Sequence, residues 1–475
     1  MRRLLTDPAD YLRHLARDSA RAWDAFFFTP ADPTPLGLMR LIVGSLLTWN
    51  LLVLGLDLHA FVGPTGWVEA STLRQVQAER MPWAWSFWPL VPGSLTWAVW
   101  ALCLVVTIAF ALGLASRFTA VLAWAVAVAT ARRMPFALYG FDQVITTWAL
   151  YLAATGASGQ AVSLDRFFAR RKLTRTALAR PGGSAQGLPS GVPQPTISAN
   201  LALRLVQLHL CLIYAMAGLA KLRGDAWWTG FAVWGVLAAG EFRRFNLTWL
   251  AAWPALLNLM TLGGLALELG YPVLIWVRRL RPLLITLAIG LHLGIDLALG
   301  LTEFGLAMLA GNLAFVSGPW LRSLVAGRPA DQPAGTVLYD GACPVCRRSV
   351  ALLLAADPDH VVATADLNRV DVKSIHPSLT PEACTAAMHL VSRDGSRVWQ
   401  GFDALARLAS WLPLFWPLGL LARVPGVAIV GRRVYNHLAA RRRRETPCTD
   451  DACSIDPPPA PSGRARDDRV GGRQP

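Results

Sequence analysis

Long apolar runs separated by short polar breaks fill the first two thirds of the chain, up to about residue 322. Eight of them, at approximately 36–56, 95–115, 117–134, 142–160, 197–219, 249–276, 282–300 and 302–321, match the roughly 17–25 residues a helix needs to cross a bilayer. The gap at Ser116 and Arg117 demands a tight hairpin between the second and third runs. The stretch 229–248 is too interrupted to span and reads as a re-entrant or interfacial helix. Residues 1–35 carry spread charges (Arg2, Arg3, Arg13, Arg17, Arg21) and no apolar core followed by a cleavage site, so they do not read as a secretory signal. Tyr11, Leu12, Leu15, Ala16, Trp23 and Phe26 predict an interfacial helix there instead.

Beyond residue 322 the pattern changes. A linker at 323–335 leads to 336–440, which reads as a compact domain. Residues 336–339 form a buried strand, 343–356 a helix and 361–365 a second strand. Residues 387–393 and 397–400 form a hairpin around Asp394-Gly395, and 403–410 begin another helix. Strand, helix, strand, hairpin, helix is the order of a thioredoxin-like α/β core. The basic, Pro-rich tail 441–475 and the 181–195 loop read as disordered. The fold class is thus a multi-span α-helical membrane domain over 36–322 followed by a small α/β thioredoxin-like domain.

Composition agrees. Hydrophobic residues make up 54% and charged residues 16% of the 475, against about 25% charged in soluble domains. Mean hydropathy is +0.40 and there are 20 Trp. A large soluble enzyme, a collagen, a coiled coil and a disordered chain are excluded. The net charge of +15 would suggest nucleic acid in a soluble protein. Here the bases flank apolar runs, so membrane lipids are the partner and nucleic acid is not. The N-terminus, the 166–180 loop and the 278–281 turn carry the bases. Trp67, Trp83, Trp85, Trp88, Trp227 and Trp228 mark the opposite loops, which predicts both termini in the cytoplasm.

The most specific motif is Tyr339-Asp340-Gly341-Ala342-Cys343-Pro344-Val345-Cys346. Two cysteines separated by two residues close a small disulfide ring on the first turn of a helix, where unpaired N–H groups and the helix dipole favour thiolate. Cys343, nearer the helix start, is the candidate nucleophile and Cys346 the resolving thiol. Arg347 and Arg348 add positive charge, and Asp340 is placed to shuttle a proton. Zinc is the alternative for such a pair, but a structural site takes four ligands. No second CxxC exists, and Cys448 and Cys453 lie in the tail at an unusual spacing. No metal is therefore expected, and seven cysteines exclude a disulfide scaffold.

Residues 336–440 resemble the DCC family of thiol–disulfide oxidoreductases, whose pattern is YDGxCxxC, a hairpin ending in G-x-D-A, a hydrophobic segment and a basic end with Tyr. Gly401-Phe402-Asp403-Ala404, the segment 412–424 and Tyr435 supply the later parts. The resemblance implies a redox-active dithiol acting on substrate proteins or small thiols. Thioredoxins proper place a cis-proline before the third strand; Met388 stands there. Asp403 and Tyr435 read as a helix cap and a packing ring.

The ionisable residues singled out in or beside the apolar runs are Arg40, His209, Lys221, Glu268, His292, Asp296 and Glu303, with Asp57 and His59 at a mouth. Charges at bilayer depth are costly and face an interior site or each other. Lys221, Glu268, His292 and Arg40 form the candidate membrane site, and Asp296 follows His292 by one helical turn. The run Tyr214-Ala215-Met216-Ala217-Gly218-Leu219-Ala220-Lys221, with Phe28-Thr29-Pro30, Arg40 and His292, resembles the HTTM domain, related to the membrane part of vitamin K-dependent γ-glutamyl carboxylase. The resemblance implies that Lys221 is a base and that a quinone, menaquinone or vitamin K-like, is the possible cofactor. Asp142-Gln143 stand in place of the carboxylase's Asn-His pair, and no counterpart of its propeptide-binding domain is expected, which argues against glutamate carboxylation. The leading reading is a membrane-anchored thiol–disulfide oxidoreductase. A carboxylase-like quinone enzyme and a non-enzymatic scaffold or transporter are the alternatives.

Overall fold

The computed structural model describes residues 8–80, 84–179, 191–239, 244–326 and 333–442. The tail from 443 with Cys448 and Cys453, the 181–190 part of the expected loop, the 327–332 part of the linker and Trp83 lie outside the described residues.

Helices arise at all eight apolar runs, but they are not equal. Thr34–Val62, Gly93–Leu112, Ile197–Lys221, Pro254–Leu274 and Arg281–Leu299 are long and apolar enough to cross a membrane. Counting two sharply bent helix pairs as one span each raises the total from five to seven. The expected eight is not reached, for local reasons. Ser116–Arg133 carries Arg117, Arg132 and Arg133. Gly140–Thr155 has 16 residues, about 24 Å of helix against a hydrocarbon core of about 30 Å. The run 302–321 is broken before Gly318-Pro319, where its two halves meet at 117°. The 229–248 stretch yields a seven-residue helix, Ala232–Ala238, too short to span.

The bundle buries Leu36, Met39, Trp148, Tyr214, Tyr271 and Phe315 in one core. Two glycines let its helices approach. A Cβ on Gly44 would lie 2.6 Å from Ala111 Cα, and one on Gly311 2.9 Å from the Trp148 ring, the small-residue packing of membrane helices. The helix Pro8–Phe28 leaves Tyr11, Leu12, Leu15 and Trp23 exposed.

After Ala326 the chain forms a four-stranded mixed sheet. Strands β1 (Gly335–Tyr339), β2 (Val362–Asp366), β3 (His389–Ser392) and β4 (Val398–Gln400) lie in the order β2-β1-β3-β4. β1 runs parallel to β2 and antiparallel to β3, and β3 and β4 form the expected hairpin. Alternation along the strands assigns the two faces. Val337 and Leu390 pack with Leu353 and Leu408 from helices Pro344–Ala356 and Gly401–Trp411. Leu338 and Val391 pack with Val372, Leu379 and Cys384 on the other face. The bent pair Gly401–Trp411 and Pro413–Leu421 thus caps a sheet, burying Leu408 and Leu412.

The two parts meet through helix Leu164–Ala179, within the basic loop between the fourth and fifth runs. Thr174 Oγ1 donates to Ala351 O at 2.9 Å and Arg170 Nη2 to Leu354 O at 2.9 Å. Leu178 packs with Tyr339, Val350 and Leu354. Arg322 reaches both Asp32, at the first span, and Asp359, after the dithiol helix. The bridge between Ala31 and Thr196 lies at this same end of the bundle, while Lys221 lies at the far end of helix Ile197–Lys221. Its 25 residues cover about 37 Å.

Candidate functional site: a dithiol pocket and a separate membrane cluster

The turn between β1 and its helix is built residue by residue. Asp340, buried, accepts from Ala342 N–H at 3.0 Å and from Asn368 Nδ2 at 3.1 Å through Oδ1. Gly341 N–H donates to Asp366 Oδ1 at 3.0 Å. A Cβ on Gly341 would fall 2.1 Å from Asp366 Oδ2, so only glycine fits. Cys343 becomes the N-cap in extended backbone (φ −98°, ψ 117°) with Pro344 in the first helical turn, where its missing N–H costs nothing. Cys343 N–H donates to Asp340 O at 3.1 Å.

Both cysteines are free thiols. Cys343 is 1% exposed and lines a cavity of about 560 Å³ with Asp340, Gln400, Tyr435, Asn436 and Arg442. Cys346, one helical turn on, is half-buried. Burial, then its hydrogen bond with Cys343, pushes the Cys346 thiol up to about 11, while Arg442 pulls the other way.

The cation at the thiols is not the one expected. Arg347 Nη1 donates to Gly341 O at 2.8 Å, and Arg348 is exposed. Arg442 Nη1 instead lies 3.3 Å from Cys346 Sγ, and its Nη2 is held by the carbonyls of Thr385 and Ala386. Sequence reasoning placed it in the tail. The basic end after Tyr435 in the family pattern is the signal that points to it. Met388 N–H, at the thioredoxin proline position, donates to Tyr435 Oη at 2.9 Å. The Tyr435 ring rests on Gly401 and lines the cavity, whereas Asp403 pairs with Arg432 at 2.9 Å on the exposed surface and the helix N-cap is Gln400. Among the described residues no group of three or more His, Cys, Asp or Glu is placed to hold a metal.

In the membrane part, three of the four sequence-predicted residues come together. Lys221 Nζ donates to Glu268 Oε1 and stands 5.0 Å from the Trp227 ring centroid. His292 Nε2 and Tyr214 Oη are 2.8 Å apart, and Tyr214 stacks on Tyr271, whose hydroxyl donates to Asn312 Oδ1 at 2.6 Å. Glu268 Oε2 and His292 Nδ1 are buried with no hydrogen-bond partner among the described residues. Arg40 does not belong to this cluster. Fully buried, it donates to Ser158 O at 2.6 Å and to Val162 O, knitting a turn at the other end of the bundle. Asp296 also stands apart, bound by Thr302 and facing Arg244 at 3.7 Å. His209 and Glu303 meet Tyr151 and Tyr139, at 2.8 and 3.0 Å.

No curated protein and no solved structure gives a significant match to the chain. Two family models do match: the HTTM domain over residues 194–320, and DCC1-like thiol-disulfide oxidoreductase over residues 337–446. The first covers the helices bearing Lys221, Glu268 and His292. The second covers the dithiol turn and extends past Ala440 to include Arg442. The chain therefore carries an HTTM domain followed by a DCC1-like thiol-disulfide oxidoreductase domain, in that order along a membrane protein.

Proposed function

We propose that the protein is a membrane-anchored disulfide reductase whose dithiol faces the cytoplasm. The observation that carries this reading is the Cys343–Cys346 pair at a helix start, one thiol lining a cavity and the other touched by a guanidinium. Cys343 thiolate attacks one sulfur of a substrate disulfide, forming a mixed disulfide and releasing the other sulfur as a thiolate that takes up a proton. Cys346 thiolate then attacks Cys343 Sγ, releasing the second substrate thiol and leaving a Cys343–Cys346 disulfide. Two electrons pass to the substrate, a protein or small disulfide, and a cytosolic thiol returns them. Asp340 and Asn368 hold the turn, while Arg442 favours the Cys346 thiolate needed for the second step.

The test is reduction of a model disulfide by the full-length protein in detergent, with adducts trapped on non-reducing gels. Cys343→Ser abolishes reduction. Cys346→Ser retains attack and accumulates mixed disulfides. Full activity in Cys343→Ser, or stoichiometric zinc lost in that variant, would overturn the assignment.

A second reading concerns the membrane cluster and is favoured by its unpartnered buried atoms, Glu268 Oε2 and His292 Nδ1. Such atoms suit the hydroquinone form of a quinone-like head group, whose hydroxyl would donate to Glu268 Oε2, with His292 Nδ1 as the second hydrogen-bonding atom and Lys221 as the nearby cation. When bound, a quinone would accept or supply two electrons. Bound quinone extracted from the wild type and lost from Lys221→Ala and His292→Ala is the expected outcome; equal content in both variants removes this reading. The cluster lies across the bundle from the dithiol, so direct exchange between them forms no part of the proposal.

A further inference from the structure

A second cavity, of about 1560 Å³, runs down the side of the bundle. It lies between helices Thr34–Leu54, Arg281–Leu299 and Thr302–Asn312; neither the dithiol nor Lys221, Glu268 or His292 lines it, and only Asn312, the acceptor of the Tyr271 hydroxyl, is shared. Its walls are mostly apolar, with Ile42, Leu46, Ile285, Ile289 and Leu306 among them. Its two ends differ in charge. Arg278 and Arg281 stand at one end; Glu303, bound by the Tyr139 hydroxyl, stands at the other.

The arginine end is a built cluster of cations. Arg281 lies over the Phe315 ring at 6.0 Å, Phe315 meets Trp276 at 5.4 Å, and Arg204 lies over the other side at 5.8 Å from Trp276. Arg204 is further seated on the Phe26 ring at 4.0 Å, which places the cluster beside the interfacial helix Pro8–Phe28. Arg204, Arg278 and Arg281 have no carboxylate within ion-pair distance among the described residues. Their charges act on one another instead. Holding Arg278 and Arg281 at the edge of an apolar groove, with Arg204 behind them, is unfavourable unless an anion sits between them.

We infer that this groove binds an anionic phospholipid, its phosphate between Arg278 and Arg281 and its acyl chains running along the apolar wall toward Ile289 and Leu306. The polarity of the groove sets the direction, because Glu303 repels a phosphate from the opposite end. Basic pockets at the ends of membrane helices take anionic head groups for this reason. A neutral lipid leaves the arginine cluster uncompensated, and a free phosphate leaves the apolar wall uncovered. The lipid thereby spans the junction between the broken helix 302–324 and the first span, at the end of the bundle that carries the dithiol domain.

The experiment uses the full-length protein, purified in detergent, with retained lipids counted by native mass spectrometry. Thermal unfolding is then followed in nanodiscs of phosphatidylglycerol or phosphatidylcholine. The wild type retains an anionic lipid and unfolds at a higher temperature in phosphatidylglycerol. Arg278→Gln with Arg281→Gln lowers retention by about thirtyfold, the loss expected of two headgroup-level arginines. Ile285→Trp, which fills the groove and keeps both arginines, lowers it as well. Equal retention in the double variant, equal protection by phosphatidylcholine, or protection by inorganic phosphate alone would overturn the inference. Disulfide reduction by Cys343 is scored separately, so loss of lipid and loss of the dithiol chemistry are told apart.

Discussion

At the residue scale the dithiol pocket is governed by one guanidinium and one half-buried thiol, Arg442 and Cys346. Burial holds the Cys346 thiol up to about 11, so its neutral form dominates near neutral pH. The resolving step needs the thiolate and therefore accelerates as pH rises, with the share of the upward shift due to Cys343 lost once Cys343 is in the mixed disulfide. Arg442→Gln removes the one group that favours the thiolate, moves the thiol higher still, and slows release of mixed disulfides. Stopped-flow measurement of product release from pH 7 to 10 checks this; an unchanged profile in Arg442→Gln would show that the guanidinium only packs. Tyr435→Phe deletes the acceptor of Met388 N–H and is expected to destabilise the domain by about 0.5–1.5 kcal/mol, the net worth of a part-buried hydrogen bond. In the membrane part, Arg40→Met is the sharper loss. It strips the carbonyls of Ser158 and Val162 of their donor and removes a side chain packed against Gly113. A fall in thermal stability with unchanged dithiol chemistry is the outcome expected of a structural arginine.

At the element scale the helix Leu164–Ala179 carries the contact between the two parts. It lies antiparallel to the dithiol helix, with Arg170 near Leu354, Thr174 at Ala351 and Leu178 under Tyr339 and Val350. Leu178→Asp places a charge into that apolar seat and is expected to cost about 2–4 kcal/mol of docking. Hydrogen exchange in Pro344–Ala356 should then rise while exchange in helix Ile197–Lys221 stays constant. Equal protection in both proteins would mean that the helix does not hold the domain. The basic residues of this segment drew attention in the sequence as a marker of membrane side. Its second role was not legible, because the residues that receive it lie about 180 positions away.

At the scale of the whole molecule, the first span, the Leu164–Ala179 helix, Arg322 and the dithiol domain gather at one end of the bundle. Reporters fused at either terminus should therefore fall on the same side of the membrane. A cytoplasm-active reporter at the C-terminus and an inactive one at the N-terminus would contradict this arrangement. The same geometry keeps the Lys221 cluster about 37 Å of helix away, too far for direct exchange with the dithiol.

Hydrophobic periodicity determined most of the plan without any structure. Each apolar run became a helix, because in lipid the backbone must satisfy itself. Every strand of the small domain fell within a residue or two of its expected place, because the short apolar run at 336–339 and the Asp394-Gly395 turn leave little choice. The CxxC turn was equally legible, being built from neighbours in the chain. Tertiary structure decided what depends on distant partners. It moved Arg40 out of the membrane cluster and bent the last run at Gly318. It also brought Arg442 to a thiol 96 positions earlier. Composition ranks segments by their preference for lipid or water, but it carries no distances. Which charge meets which carbonyl, thiol or carboxylate follows only from how the packed elements cross.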